Sequence, residues 1–160
     1  MKYVGSKNRL AKYIVPFLQK SIGGYLPSAY VEPFVGGANI IDKIKFYSSQ
    51  YATHSRKFGI DNNKYLIAMW KELQRGGTPP KTISEELYNY VRDDKEAFPP
   101  HIVGIVGFAS TYGAKWFGGY ARGFKADGIT PRDIPAEGIR NIMKQVPNIM
   151  DVKFIHDDYK

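Results

Sequence analysis

The sequence predicts an α/β protein built on a parallel sheet, and three observations carry that expectation. Residues 29–33 and "KFGID" (57–61) are short apolar runs of strand character. The stretch after each spaces its apolar residues at helical intervals, and "VKFIHDDY" (152–159) supplies a third strand. Strands alternating with helices are the pattern of a parallel sheet, whose crossovers are helices.

The elements follow in order. "RLAKYIVPFLQKSI" places Leu10, Ile14, Leu18 and Ile22 one helical repeat apart, with Ser6 as a candidate cap. Pro16 marks a kink or the end of a first segment. Residues 29–33 read as a short buried strand, and "ANIIDKIKFY" puts Ile40, Ile41, Ile44 and Tyr47 on one helical face. The second strand closes on Asp61. "NKYLIAMWKELQRGG" is then a helix ended by Gly76-Gly77, because glycine readily takes the left-handed conformation that stops a helix.

The middle of the chain departs from this rhythm. Thr82 with Glu85 has the spacing of a capping box opening a helix through Val91. "FPPH" breaks the chain, and "HIVGIVGFAS" is a buried apolar helix or strand that periodicity does not separate. Residues 112–132 are glycine-rich, aromatic and basic, and read as an extended loop or hairpin region. "AEGIRNIMKQV" returns to helix, with Ile139, Ile142, Met143 and Val146 as its apolar stripe. The expected organisation is a sheet core at 1–77 and 134–160, carrying an inserted segment at 78–133. Three strands are fewer than the roughly five or six of a complete doubly wound sheet, so the fold is expected to be incomplete at Lys160.

Composition narrows the function. With 43% hydrophobic and 14% aromatic residues, the 160-residue chain is globular, long enough for one domain with a core. No apolar run reaches the ~20 residues of a membrane span, and the N-terminus lacks the apolar core of a signal peptide. The absence of cysteine removes disulfides, thiolate metal sites and cysteine nucleophiles, and suits a reducing cytoplasm. His54, His101 and His156 show no metal-ligand spacing, so no metal is expected. A net charge of +8 suggests a polyanionic partner, since each neutralised phosphate releases counterions.

"VEPFVGG" (31–37) is the stretch with the most chemistry. In open α/β sheets ligands sit at the carboxyl ends of strands, and Gly36 and Gly37 would allow a close backbone approach. Asp61 follows about 20 residues beyond this turn, where an acid hydrogen-bonds a ribose diol. There is no G-x-G-x-x-G and no phosphate-cradling lysine, so a ligand with ribose and adenine but no pyrophosphate fits best. The plainer alternative is an ordinary strand-to-helix turn followed by an exposed acid.

"KYVGSK" (2–7), "YVEPFVGG" (30–37) and "GID" (59–61), in that order, resemble the N-terminal half of the D12 class DNA N6-adenine methyltransferases, relatives of the bacterial GATC methylase. "GFASTYGAKWFGGYARG" occupies the place of that family's DNA-contact stretch, and "FIHDDYK" resembles the strand end before its catalytic tetrapeptide. The resemblance implies a partial Rossmann-like sheet that binds S-adenosylmethionine, releases S-adenosylhomocysteine, and carries an inserted helical and loop segment for recognising double-stranded DNA. It implies the cytoplasm of a bacterial or phage-infected cell, in a restriction-modification or phage setting.

Carried onto this sequence, the resemblance puts Tyr3, Gly5 and Lys7 beside the methionine end of the cofactor. Glu32, Pro33, Phe34, Gly36 and Gly37 would shape the pocket, with Phe34 against the cofactor and Glu32 near its sulfonium or ammonium charge. Asp61 would accept from the ribose hydroxyls. Asp158 and Tyr159 would lie near the adenine, with Asp157 competing for that place. For DNA, Lys7, Arg9, Tyr112, Lys115, Trp116, Phe117, Tyr120, Arg122 and Lys125 interleave rings with cations, a pattern for holding phosphates and for stacking on a flipped base. The alternative is a glycine-punctuated hairpin whose aromatics pack on the body. Arg140 and Lys144 form a second basic face, for phosphates or for solvent.

The family's Asp-Pro-Pro-Tyr tetrapeptide is absent, since the Pro-Pro pairs at 79–80 and 99–100 have no preceding Asp. The expectation is a methyltransferase piece that ends before its catalytic motif and is inactive alone. Two alternatives are a non-catalytic DNA-binding module, or half of a split enzyme completed by a second polypeptide. A third is an unrelated nucleotide-binding α/β protein.

Overall fold

A computed structural model describes residues 1–21, 29–45 and 56–158. Its framework is α/β, with three parallel strands, β1 (Ala29–Glu32), β2 (Arg56–Asp61) and β3 (Val152–His156), in the order β1-β2-β3. β2 is central, with Val31 beside Phe58 on one side and Phe58 beside Lys153 on the other. β1 is therefore an edge strand among the described residues. Its Val31 is 51% exposed, so the expectation of a buried strand is corrected.

Helix α1 (Ala11–Ser21) runs through Pro16 without ending there. It buries Ala11 and Val15, and packs Ile14 and Leu18 with Ile40, Ile44 and Tyr30 in a small cluster beside β1. Leu10 is exposed, and Ile22 lies outside the described residues. Ser6 is not the cap of α1. Its Oγ accepts the Asn8 N–H at 3.2 Å and the Asn39 side-chain amide at 2.9 Å, tying the N-terminal segment to the loop after β1. That loop forms only a short 3-10 turn at Ile41–Lys43 where the spacing predicts a longer helix. Ile40, Ile41 and Ile44 are all buried as the periodicity requires, but into two different clusters, and Tyr47 lies outside the described residues.

Helix α2 (Lys64–Gln74) is capped by Asn63, whose side chain accepts the N–H groups of Tyr65 and Leu66. Gly76, at φ +89°, follows the helix end. α3 (Glu85–Asp93) starts one residue after Ser84, which is its cap. The expected cap, Thr82, instead donates to Asp133 Oδ1 at 2.8 Å, and Asp133 caps α5 (Ile134–Met143) by accepting the Ala136 N–H. The ambiguous apolar stretch is a helix, α4 (Pro100–Ala109), with proline at its first position.

The main core joins these helices to the sheet. Leu66, Met69 and Trp70 of α2, Tyr88 of α3, Val103 of α4 and Phe154 of β3 belong to one buried cluster. The segment 78–133 thus shares its core with the sheet. Glycines bring the helices together. A Cβ on Gly104 would lie 2.3 Å from the Tyr65 carbonyl oxygen, and one on Gly138 would lie 2.3 Å from that of Ala109. No helix among the described residues is long and apolar enough to cross a membrane.

Candidate functional site

The carboxyl ends of β1 and β2 are locked together by one side chain. Asp61, buried at the end of β2, accepts the Gly36 N–H through Oδ2 and the Asn63 N–H through Oδ1, both at 3.0 Å. The same turn is held from below by Trp70, whose indole N–H donates to the Gly36 carbonyl at 3.2 Å. Gly36 has φ +46°, a conformation that favours glycine. Two residues on, Ala38 takes φ +53° despite its methyl group, and such strain is often stored at functional sites.

Tyr3 covers this turn. A Cβ on Gly36 would come within 2.6 Å of the Tyr3 ring, and one on Gly37 within 2.8 Å of the Tyr3 Cβ. Burial, and then the negative charge of Asp61, push the Tyr3 phenol up to about 12, so the hydroxyl stays protonated. Both glycines are buried. The glycine backbone therefore accommodates a tyrosine of the chain itself where the sequence suggests a surface bared to a ligand.

Glu32 turns toward the loop after β1. Its Oε2 accepts the Ile41 N–H at 3.0 Å, and Tyr30 also hydrogen-bonds it. Burial raises its pKa to about 7, against the lowering effect of the Ile41 N–H, and nearby Asp42 raises it further. Lys43 and the Tyr30 hydroxyl pull the other way, so burial sets the net rise. Phe34 is 66% exposed, Pro33 and Gly5 are exposed, and Lys7 Nζ donates to the Gly5 carbonyl at 3.0 Å. At the end of β3, the Asp157 N–H donates to the Asp61 carbonyl at 3.2 Å, which brings the "HDD" stretch beside Asp61. Asp158 is exposed and its N–H bonds Asp157 Oδ1, while Tyr159 lies outside the described residues.

Residues 3–101 match the family model for D12 class N6 adenine-specific DNA methyltransferases. The chain belongs to that family. No curated protein matches it. The matched residues take in the Tyr3 segment, the glycine turn, Asp61 and the helices through α3, and they stop before the aromatic, basic segment.

That segment is where this methyltransferase departs most from the sequence reading. Trp116 stacks on Tyr65 with ring centroids 5.6 Å apart and sits 4.7 Å from Phe108. Phe117 and Tyr120 pack on Tyr88, and the Tyr120 hydroxyl donates to the Ile83 carbonyl at 2.8 Å. A Cβ on Gly107 would collide with the Trp116 ring at 2.4 Å, so the second glycine of α4 is the seat for this indole. These three rings are partly buried and anchor the segment to the body. Arg122 is paired with Glu85 through two nitrogens. Lys115, Lys125 and Tyr112 are exposed, Tyr112 at 74%.

The sequence reading missed several groups. Phe124 and Ile129 are exposed, at 61% and 81%, on a hairpin-like loop closed by Lys125, Thr130 and a Phe124–Pro131 bridge. Gln145 is buried, and its side-chain amide donates to the carbonyls of Gly37 and Ala38 and to Asp42 Oδ2. Only an unusual exposed phenylalanine in a polar loop signals the first pair. Nothing local in the sequence signals Gln145. Among the described residues no cluster of His, Cys, Asp or Glu is arranged to hold a metal ion.

Proposed function

We propose that this chain carries the cofactor-binding and DNA-binding part of a site-specific adenine-N6 DNA methyltransferase with a partial Rossmann-like sheet. The observation that carries the reading is the convergence of Tyr3, the Gly36-Gly37 turn and Asp61 at the ends of two adjacent parallel strands. Brought together there are a ring, a backbone turn and an acid whose oxygens each bind one N–H and retain a further lone pair. Glu32, raised to about 7 by burial, suits a neighbour bearing positive charge. These residues fit S-adenosylmethionine, which when bound supplies the methyl group. Asp61 would accept from the ribose hydroxyls, exposed Phe34 would wall the adenosine, and Tyr3, Gly5 and Lys7 would border the methionine end. Asp158 and Tyr159, with Asp157 as the rival, would border the adenine.

For DNA, exposed Lys7, Arg9, Lys115 and Lys125 would hold phosphates, with Tyr112, Phe124 and Ile129 as the exposed apolar groups at the duplex. Arg122 would have to leave Glu85 to join them. The rings of Trp116, Phe117 and Tyr120 hold the scaffold for these contacts.

The transfer step needs the family's tetrapeptide, which the 160 residues do not contain. The chain alone is expected to bind without methylating. The outer edge of β1 supports a completing segment, because no described strand pairs with it and Val31 is half exposed there. Whether that segment is covalently continuous or a second polypeptide distinguishes a fragment from a split enzyme.

Titration calorimetry with S-adenosylhomocysteine tests the reading. Binding abolished by Asp61→Ala supports it. Binding of NAD with no binding of the thioether overturns it.

A further inference from the structure

Beside the candidate cofactor turn lies a cavity of about 830 Å³ between the N-terminal segment and the end of α5, with Tyr3 and Gly5 of the candidate cofactor site forming part of its wall. Lys2, Arg9, Lys43 and Lys144 line it, and Asp42 is its one carboxylate. That carboxylate is already engaged, at 2.8 Å from Lys43 Nζ and 3.0 Å from Gln145 Nε2, with its side chain only 5% exposed. The Met1 ammonium donates to Asn39 Oδ1 at 3.2 Å, and burial lowers its pKa to about 6, so it adds little charge at neutral pH. The remaining lining is rich in amides, including Asn8, Asn141 and Asn148.

What marks this site is that its cations face one cavity whose single carboxylate is already engaged. Arg75, Arg92, Arg122, Arg132, Lys57 and Lys64 are each matched with a carboxylate. Among the described residues, Arg9 and Lys144 have no such partner, and Lys2 has only a longer-range interaction with Glu137. All three are exposed. Three cations without a carboxylate at salt-bridge distance therefore border one cavity, which also reaches Gly113 at the start of the aromatic segment.

The geometry points to this cavity as a seat for the phosphate backbone of duplex DNA, with Lys2, Arg9 and Lys144 as its cations and the asparagine amides as hydrogen-bond donors. The inference rests on the proposed function for its choice of polyanion. The seat extends the DNA track from the 112–132 segment across the N-terminal residues to the last turn of α5. Its floor is also mechanically tied to the cofactor turn, since Gln145 lines the cavity and holds the Gly37 and Ala38 carbonyls. The buried Gln145 Oε1 has no hydrogen-bond partner, and the four acceptors around Nε2 fix the amide in that orientation.

The test is fluorescence anisotropy of a labelled duplex against salt concentration. Replacing Lys2, Arg9 and Lys144 together by alanine is expected to lower the slope of log affinity against log salt by about 2–3, since each phosphate contact contributes about 0.9. A second triple variant, Lys20→Ala, Lys71→Ala and Lys153→Ala, removes the same charge from exposed positions outside the cavity. It is expected to leave the slope within about 1 of the unmodified chain. Equal losses in both triples overturn the seat and assign the effect to net charge. An unchanged slope in the cavity triple, with the unmodified chain still binding duplex, overturns the seat alone. Duplex binding unaffected while inorganic phosphate binding is lost overturns it in favour of a small-anion site. No salt-dependent binding by the unmodified chain overturns both the seat and the DNA part of the proposed function, whereas calorimetry with S-adenosylhomocysteine still reports on the cofactor part.

Discussion

Asp61 and Gly36 are joined across two strands by a 3.0 Å hydrogen bond from the glycine N–H to a buried carboxylate oxygen. The contact welds the turn after β1 to the end of β2. It makes one acid responsible both for the shape of the turn and for any hydroxyls brought to it.

Removing that acid should therefore act on stability as well as on binding. Asp61→Ala strands the Gly36 and Asn63 N–H groups and is expected to cost about 2–4 kcal/mol, from about 1–3 for each unsatisfied buried donor with partial relief by water. Asp61→Asn keeps one acceptor and should cost about half as much. Urea unfolding of the two variants checks the order.

Gly36→Ala places a methyl group at φ +46° and 2.6 Å from the Tyr3 ring. A loss of about 1–3 kcal/mol is expected from backbone strain and overpacking together. Combining it with Tyr3→Ala should recover the packing part, and a double-mutant cycle measures how much. Full additivity would mean that the tyrosine does not press on the turn.

Glu32 gives a pH dependence with a definite sign. Its folded pKa of about 7 lies above the ordinary 4.5, so the folded chain holds the proton more tightly. The stability it contributes is fully present below pH 4.5 and is lost as pH rises through about 7. Glu32→Gln should flatten this fall, gaining on the unmodified chain by about 1–2 kcal/mol between pH 5 and pH 8 after allowance for partial exposure. Denaturation at both pH values measures it. If Glu32 also faces the cofactor's cation, affinity for S-adenosylmethionine should rise over this range more than that for the neutral thioether product.

The seating of α4 between α2 and α5 depends on two glycines. Gly104→Ala and Gly138→Ala each drive a methyl group to within 2.3 Å of a backbone carbonyl oxygen of a neighbouring helix. Each is expected to cost about 1–3 kcal/mol through overpacking, visible as a lower melting temperature. No loss at Gly104 would mean that α4 does not rest on α2 at Tyr65.

Trp116 and Lys115 are sequence neighbours with opposite expected phenotypes. Trp116→Ala removes a ring stacked on Tyr65 and tilted against Phe108, and should cost about 2–4 kcal/mol. Lys115→Ala, at an exposed position, should leave stability unchanged within about 0.5 kcal/mol and weaken duplex binding. Anisotropy and thermal melting on the same two variants separate the roles.

The alternation of strand and helix was legible because each element repeats its own apolar spacing, and α2, α5 and the three strands lie where that spacing puts them. Caps were less legible. Thr82 with Glu85 satisfies the capping-box pattern as well as any pair, yet Ser84 caps α3, because Thr82 is held by Asp133 from another helix. The loop after β1 shows the same limit. Its isoleucines are spaced for one helical face, but tertiary packing divides them between two clusters and leaves a single short turn.

By itself the sequence determined the order of the elements, the glycine turn with its distant acid, and the membership that those motifs carry. Local spacing and short motifs are written residue by residue, so they need no neighbour to be read. Only the tertiary structure decided which aromatic and basic residues remain available for a ligand. Trp116 and Arg122 look in sequence like Tyr112 and Lys115, but the first two meet partners from other helices while the last two stay exposed. Burial and ion pairing are properties of what the fold brings alongside. The same holds for Lys2, Arg9 and Lys144, which are far apart in sequence and line one cavity in the fold.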